Sequence, residues 1–192
     1  MTSKQYKDFL LPRSFYERDT VDVARDLLGK YIVRHYEGQY LMGQIVETEA
    51  YRSDDSACHA YNGMTKRNCA MFGPVGHAYV YLIHGIHYCL NIIARTSDYI
   101  SGGVLIRAIE PVAGIETMMH LRKTDNLKNL TNGPGKLTQA LAITLKNNHH
   151  DVTQLSDLIV IDSPKKETFT INTSSRIGIS SGQDKLWRFF IL

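Results

Sequence analysis

The chain has 192 residues, 43% of them hydrophobic and 21% charged, and carries a formal net charge of +3. These values fit one globular domain with its own core and exclude a disordered or fibrous chain, while the mild positive balance allows a polyanionic partner without requiring one. Three cysteines, Cys58, Cys69 and Cys89, make no secreted disulfide framework, and neither a signal peptide nor an apolar run long enough for a membrane span is legible, so an intracellular, soluble protein is expected.

Residues 1–12 read as an N-terminal tail ending at Pro12, with a single domain over 13–192. Thr20 as N-cap, Asp22 in the first turn and the apolar stripe Val23, Leu27, Leu28 predict a short helix that Gly29 closes. Lys30 to Tyr36 reads as a strand, Glu37-Gly38 as a turn, and Tyr40 to about Tyr51 as a second strand of the same hairpin. Residues 52–76 carry no period, and a loop of that length inside a domain is expected to be functional. From His77 to Ile93, aromatic and β-branched residues flank Gly85, which predicts two strands and a projecting tip at His84-Gly85-Ile86. Val104 to Glu110 is a further strand, stopped by Pro111. Residues 112–123 have helical spacing, and Gly133-Pro134-Gly135-Lys136 opens a helix through Ala142. Strand-like pieces follow at Leu158–Ile161, Phe169–Ile171, Ile177–Ile179 and Leu186–Ile191. Hairpins without βαβ alternation predict a single compact α+β domain: a mainly antiparallel, curved sheet, flanking helices and a protruding β-hairpin.

Gln44 to Tyr51 is the most informative stretch. At a strand's period of two, Val46, Thr48 and Ala50 form one small, core-like face, and Glu47, Glu49 and Tyr51 the other. Same-face neighbours lie only about 7 Å apart, so the two carboxylates couple unless their environments differ. A solvated sheet face is the ordinary alternative. Arg107, inside Val104-Leu105-Ile106-Arg107-Ala108-Ile109, must find a carboxylate or phosphate if buried, as a structural ion pair or as part of a site. Asn91 poses the same question in its apolar strand. Gly133–Lys136 is too short for a phosphate loop and has no Ser or Thr after the lysine. The histidines and cysteines match no regular zinc spacing, since residues i and i+3 of one strand face opposite ways, so no metal is expected.

Several segments occur in one order: Glu47-Thr48-Glu49-Ala50-Tyr51, His59, Arg67-Asn68-x-x-Met71-Phe72, Tyr79-Val80-Tyr81, Asn91, Leu105 to Pro111, Asn132 to Leu137, Arg176-Ile177-Gly178-Ile179 and Trp187-Arg188-Phe189. The series resembles the alkyladenine type of 3-methyladenine DNA glycosylase, from about residue 10 to the C-terminus. The resemblance implies a monofunctional base-excision repair enzyme, without metal or cofactor, that flips a damaged purine out of double-stranded DNA and hydrolyses its N-glycosidic bond. Carried onto this chain, it makes Glu49 the general base for the attacking water and Arg107 its helper. It places Tyr51 and His59 on one face of the flipped base, Tyr81 on the other, and Asn91 as a guard against guanine's exocyclic amine. Where the family presents a wedge tyrosine this chain has His84, and Lys136 is the expected phosphate contact. The expected substrates are DNA with alkylated purines such as 3-methyladenine, and also hypoxanthine and ethenoadenine. The expected protein is a monomer in the cytoplasm, on a bacterial nucleoid. The rival from another class is a non-catalytic nucleic-acid binding module with the aromatics as stacking platforms. A hydrolase of free nucleosides is the third reading.

Overall fold

The computed structural model describes residues 6–83, 85–163 and 168–192. Among these, eight strands form one sheet: β1 (Tyr31–Tyr36), β2 (Gln39–Arg52), β3 (Ala78–Ile83), β4 (His87–Ile93), β5 (Gly102–Ala113), β6 (Leu158–Ile161), β7 (Ile171–Ser174) and β8 (Arg188–Ile191). Every pairing is antiparallel, in the order β3-β4-β5-β2-β1-β6, with β8 joining β2 to β7. Four helices flank it: α1 (Arg13–Tyr16), α2 (Thr20–Asp26), α3 (Ile115–Arg122) and α4 (Pro134–Ala140). The result is the expected single α+β domain around a curled antiparallel sheet.

Strand β2 is the axis. It pairs with β5 along most of its length, and its other edge is shared by β1 at Gln39–Gln44 and by β8 at Glu47–Glu49. Glu37 and Gly38 both take positive φ, which closes the β1–β2 hairpin with a turn whose twist matches its strands. One sheet face packs Leu41, Ile45, Ala50 and Ile106 against Val23 and Ala24 of α2 and the Leu27 that follows it, to make the main core. Thr48, fully buried on the same side, donates its hydroxyl to the Ala24 carbonyl at 2.6 Å.

The face assignments along β2 depend on an irregularity. Ile45 pairs with Ile109, Glu47 with Ala108 and Thr48 with Ile106, so Val46 and Arg107 are both skipped in the register. Leu41 and Ile45 face the core before this point, Thr48 and Ala50 after it. The parity of the strand has shifted by one, as a bulge requires. Glu47, Glu49 and Tyr51 therefore share a face as expected, but Val46 does not belong to the core face; it is half-buried in the bulge. The same irregularity takes Arg107 out of the ladder and turns its side chain toward the two glutamates.

Other expectations are corrected. Asp19, not Thr20, caps α2, its carboxylate accepting from the Val21 amide at 2.8 Å, and the buried Thr20 hydroxyl instead donates to the Ala94 carbonyl. Residues 6–12 are no free tail: Tyr6 packs with Val33, Ile159 and Ile161, and Leu11 enters the main core. Pro111 does not stop β5, which runs to Ala113, because β4 pairs only with Gly103–Leu105 and leaves the later residues on an edge where a missing N–H is tolerated. Ile177–Ile179 is a turn around Gly178, whose φ of 77° no regular strand would hold. The β3–β4 hairpin forms as expected and exposes Ile86 to 74%, whereas His84 lies outside the described residues.

Candidate active site

Glu49 sits near the C-terminal end of β2 with no solvent exposure at all, so its charge must be met by protein groups. Its Oε2 accepts from the Tyr51 hydroxyl at 2.7 Å and from Arg107 Nη1 at 3.3 Å, and its Oε1 accepts from the Ile177 amide at 2.7 Å. Burial and the adjacent Glu49 carboxylate push the Tyr51 phenol far up, so it remains a donor. Glu47, one same-face step away, has a different environment. Its Oε1 accepts from Arg107 Nε at 3.0 Å and Arg188 Nε at 2.6 Å, and Arg188 is tied further to the Ser174 hydroxyl. Two guanidiniums thus balance two carboxylates, and Arg107 bridges the pair.

In front of Glu49 opens a cavity of about 310 Å³. Tyr51, His59, Tyr79, Tyr81, Asn91 and Arg107 contribute to its walls. Tyr79 and Tyr81 stack with centroids 5.1 Å apart, an outcome of being two residues apart on β3. His59 meets Tyr81 edge to face at 4.7 Å, which leaves no room for a third ring between them in this state. Burial, followed by the Arg67 charge, lowers the His59 pKa below its usual value and keeps the imidazole neutral. Behind these rings, Cys58, Ala60, Ala70, Met71, Tyr79 and Ile93 form a second apolar cluster that supports the cavity from the 52–76 loop.

The opposite wall, Ile177 to Ser181, is held by a pair that local sequence pattern does not announce. The Arg176 side chain, completely buried, is ion-paired to the equally buried Asp55 and donates to the Ala50 carbonyl at 2.8 Å and the Gly182 carbonyl at 3.1 Å. Its guanidinium lies 4.8 Å from the Tyr51 ring centroid. One arginine therefore joins the β2 end, the loop after it and the segment that delivers the Ile177 amide to Glu49.

Of the residues singled out from sequence, Tyr51, His59, Tyr81, Asn91 and Arg107 meet at the cavity, and Glu49 lies behind its wall. Asn91 is buried, with its amide 3.4 Å from the Tyr79 carbonyl. Lys136 does not line the cavity. It stands in the first turn of α4, beside the wall residue Pro134, bonded to Asn132 Oδ1 at 2.7 Å and Asn129 Oδ1 at 3.2 Å. His84 cannot be placed among the described residues. Sequence reasoning missed Asp55, the Ile177 amide and the contribution of Tyr79, although Tyr79 shares strand parity with Tyr81. Among the described residues, no group of three or more His, Cys, Asp or Glu is arranged to hold a metal ion, and no helix is long and apolar enough to cross a membrane.

Residues 14–192 match the family model described as methylpurine-DNA glycosylase. A relative from Carboxydothermus hydrogenoformans, provisionally named a 3-methyladenine DNA glycosylase, is 50% identical over 182 residues, covering 95% of each chain. Relatives under the same name from Clostridium acetobutylicum and Methanoculleus marisnigri are 47% and 46% identical, each over 94% of this chain and 93% and 94% of their own. The chain belongs to the methylpurine-DNA glycosylase family: it is a DNA glycosylase for alkylated bases, a hydrolase of N-glycosyl bonds.

Proposed function

We propose that this glycosylase acts as a monomer on double-stranded DNA, flips an alkylated purine into the 310 Å³ cavity and hydrolyses its bond to deoxyribose with water activated by Glu49. One observation carries the reading: a carboxylate with no solvent exposure, Glu49, is held by two donors on Oε2 and one on Oε1 behind a cavity walled by aromatic side chains, and Oε1 has the capacity to accept from one further donor once the site is occupied. A water held there donates to Oε1, and its oxygen attacks C1′ as the bond to the base breaks. The carboxylate opposes the positive charge that develops on the sugar and takes the water's proton. Arg107 orients the Glu49 carboxylate through its 3.3 Å contact.

Tyr51, His59 and Tyr81 provide π faces, which favour electron-poor and cationic rings such as 3-methyladenine. Their close contact in the free protein means that His59 and Tyr81 part to admit the base. Asn91 reads its edge and disfavours guanine. Because 3-methyladenine is already cationic it leaves without a strong acid. Hypoxanthine and ethenoadenine, being neutral, are excised more slowly. Lys136 serves a backbone phosphate, His84 the gap left by the flipped base, and the enzyme works on the DNA of the bacterial nucleoid. The test is a glycosylase assay with matched substrates. Free 3-methyladenine is released from methylated duplex with the strand intact, and far less from the methylated nucleoside. Equal turnover of nucleoside and duplex would contradict the proposal.

A further inference from the structure

The Asp55–Arg176 pair stands outside the cavity lining, yet its bonds end beside Glu49. Both side chains are fully buried, and apolar groups of similar volume commonly replace such a pair at no loss of stability, so stability alone does not account for it. What an apolar pair cannot do is direct hydrogen bonds. The planar guanidinium addresses three segments at once: Asp55 in the loop after β2, the Ala50 carbonyl of β2 at 2.8 Å and the Gly182 carbonyl at 3.1 Å. Ala50 follows Glu49 and Arg176 precedes Ile177, so the Arg176–Ala50 bond lies next to the bond from the Ile177 amide to Glu49 Oε1. The first bond fixes the register of the second. The stretch from Arg176 to Gly182 has no strand or helix of its own, and Gly178 and Gly182 both take positive φ, 77° and 63°. A Cβ on Gly182 would collide with Asp55 Oδ1, and Lys185 reaches that oxygen at 3.4 Å, so the far end of the stretch closes on the pair as well. The Tyr51 and Trp187 rings, with centroids 4.8 Å and 5.3 Å from the guanidinium carbon, limit its movement.

We infer that Asp55 and Arg176 are positioning residues for the hydrolysis: they hold the Ile177 N–H on one side of Glu49 Oε1 and so turn the remaining acceptor capacity of that oxygen toward the water. The effect on hydrolysis rests on the assignment of Glu49 made above; the placement of the Ile177 amide does not.

A carboxylate acceptor draws an amide proton downfield, so the Ile177 amide resonance of the free protein reports the contact, and Glu49→Gln is expected to move it. Two changes probe the pair. Arg176→Lys keeps the charge and loses the planar fork. Asp55→Leu combined with Arg176→Met removes both charges and is expected to unfold near the wild-type temperature. In each, the Ile177 amide is expected to move upfield and exchange faster with solvent. Single-turnover excision of 3-methyladenine from duplex DNA is expected to slow by about 10- to 100-fold, the worth of one hydrogen bond to a charged group, with lesion-DNA affinity close to that of the wild type. A folded variant with the wild-type rate overturns the inference. So does a slowed variant whose Ile177 amide keeps its wild-type resonance, or an Ile177 amide that ignores Glu49→Gln. A displaced amide and slowed excision in the pair variants, beside a wild-type rate in Glu49→Gln, contradict the assignment of Glu49 instead.

Discussion

At the scale of single residues, the two glutamates of β2 differ in what surrounds them. Glu49 is fully buried with three donors, whereas Glu47 retains 19% side-chain exposure and two guanidinium partners. Arg107 serves both, at 14% exposure. Removing it leaves Glu49 as a buried charge without its cation. Arg107→Ala is expected to destabilise the fold by about 3–5 kcal/mol, read as a lower denaturant midpoint, and to abolish excision. Glu47→Gln keeps an oxygen that can accept from Arg107 and Arg188, so thermal unfolding should fall by about 1–3 kcal/mol with excision largely retained. Equal loss of activity in the two variants would make Glu47 a direct participant. The period-two alternation placed both carboxylates on one face, yet it could not divide them. The difference comes from the Ile177 amide, 128 residues away in sequence, and from the Arg107 irregularity, neither of which leaves a local pattern.

At the scale of elements, the site is built where regular structure breaks. The double register shift turns Arg107 to the glutamates, and the Arg176–Asp55 pair, 121 residues apart, pins two segments without regular structure. The strong periodic elements were legible: α2, the β1–β2 hairpin and the β3–β4 hairpin stand where spacing put them. The misread pieces have local causes, such as Gly178 bending what looked like a strand at Ile177–Ile179, and an open edge that lets β5 pass Pro111. The β3–β4 hairpin is also clamped from one side. Thr138 of α4 donates to the Tyr88 carbonyl at 2.9 Å, and a methyl group on Gly135 would meet the His87 Cβ at 2.9 Å. Gly135→Ala should therefore push the hairpin off α4, costing about 1–3 kcal/mol of stability by overpacking and weakening affinity for lesion DNA in a binding titration. Unchanged affinity would show that hairpin placement does not govern DNA engagement.

For the whole molecule, a net charge of +3 does not say where the cations without an ion pair lie. Many cations are neutralised internally: Arg13 by Asp151, Arg34 by Asp157, Arg52 by Asp19 and Asp54, Arg176 by Asp55. None of the ion pairs recorded among the described residues involves Lys66, Arg67, Lys128 or Lys136. Arg67 lies over Tyr81 at 5.6 Å, and Lys136 stands beside the cavity wall at Pro134. Folding thus leaves two cations without a recorded ion pair, Arg67 and Lys136, beside residues of the cavity wall, which scattered charges in the sequence could not reveal. Affinity for duplex DNA should fall linearly with salt on a log–log plot, and Lys136→Ala should reduce that slope by about one, equally for damaged and undamaged DNA. An unaltered slope would remove Lys136 from the phosphate contacts.

Glu49 is proposed to perform the hydrolysis from a buried position in which three donors orient its carboxylate. Single-turnover excision of 3-methyladenine from duplex DNA by Glu49→Gln tests it most directly, since the amide preserves shape and accepts hydrogen bonds but cannot take a proton. The rate should fall by about 10²–10⁴-fold while lesion-DNA affinity stays within a few-fold of the wild type. Retention of the wild-type rate would contradict the assignment of Glu49 and with it the account of the site.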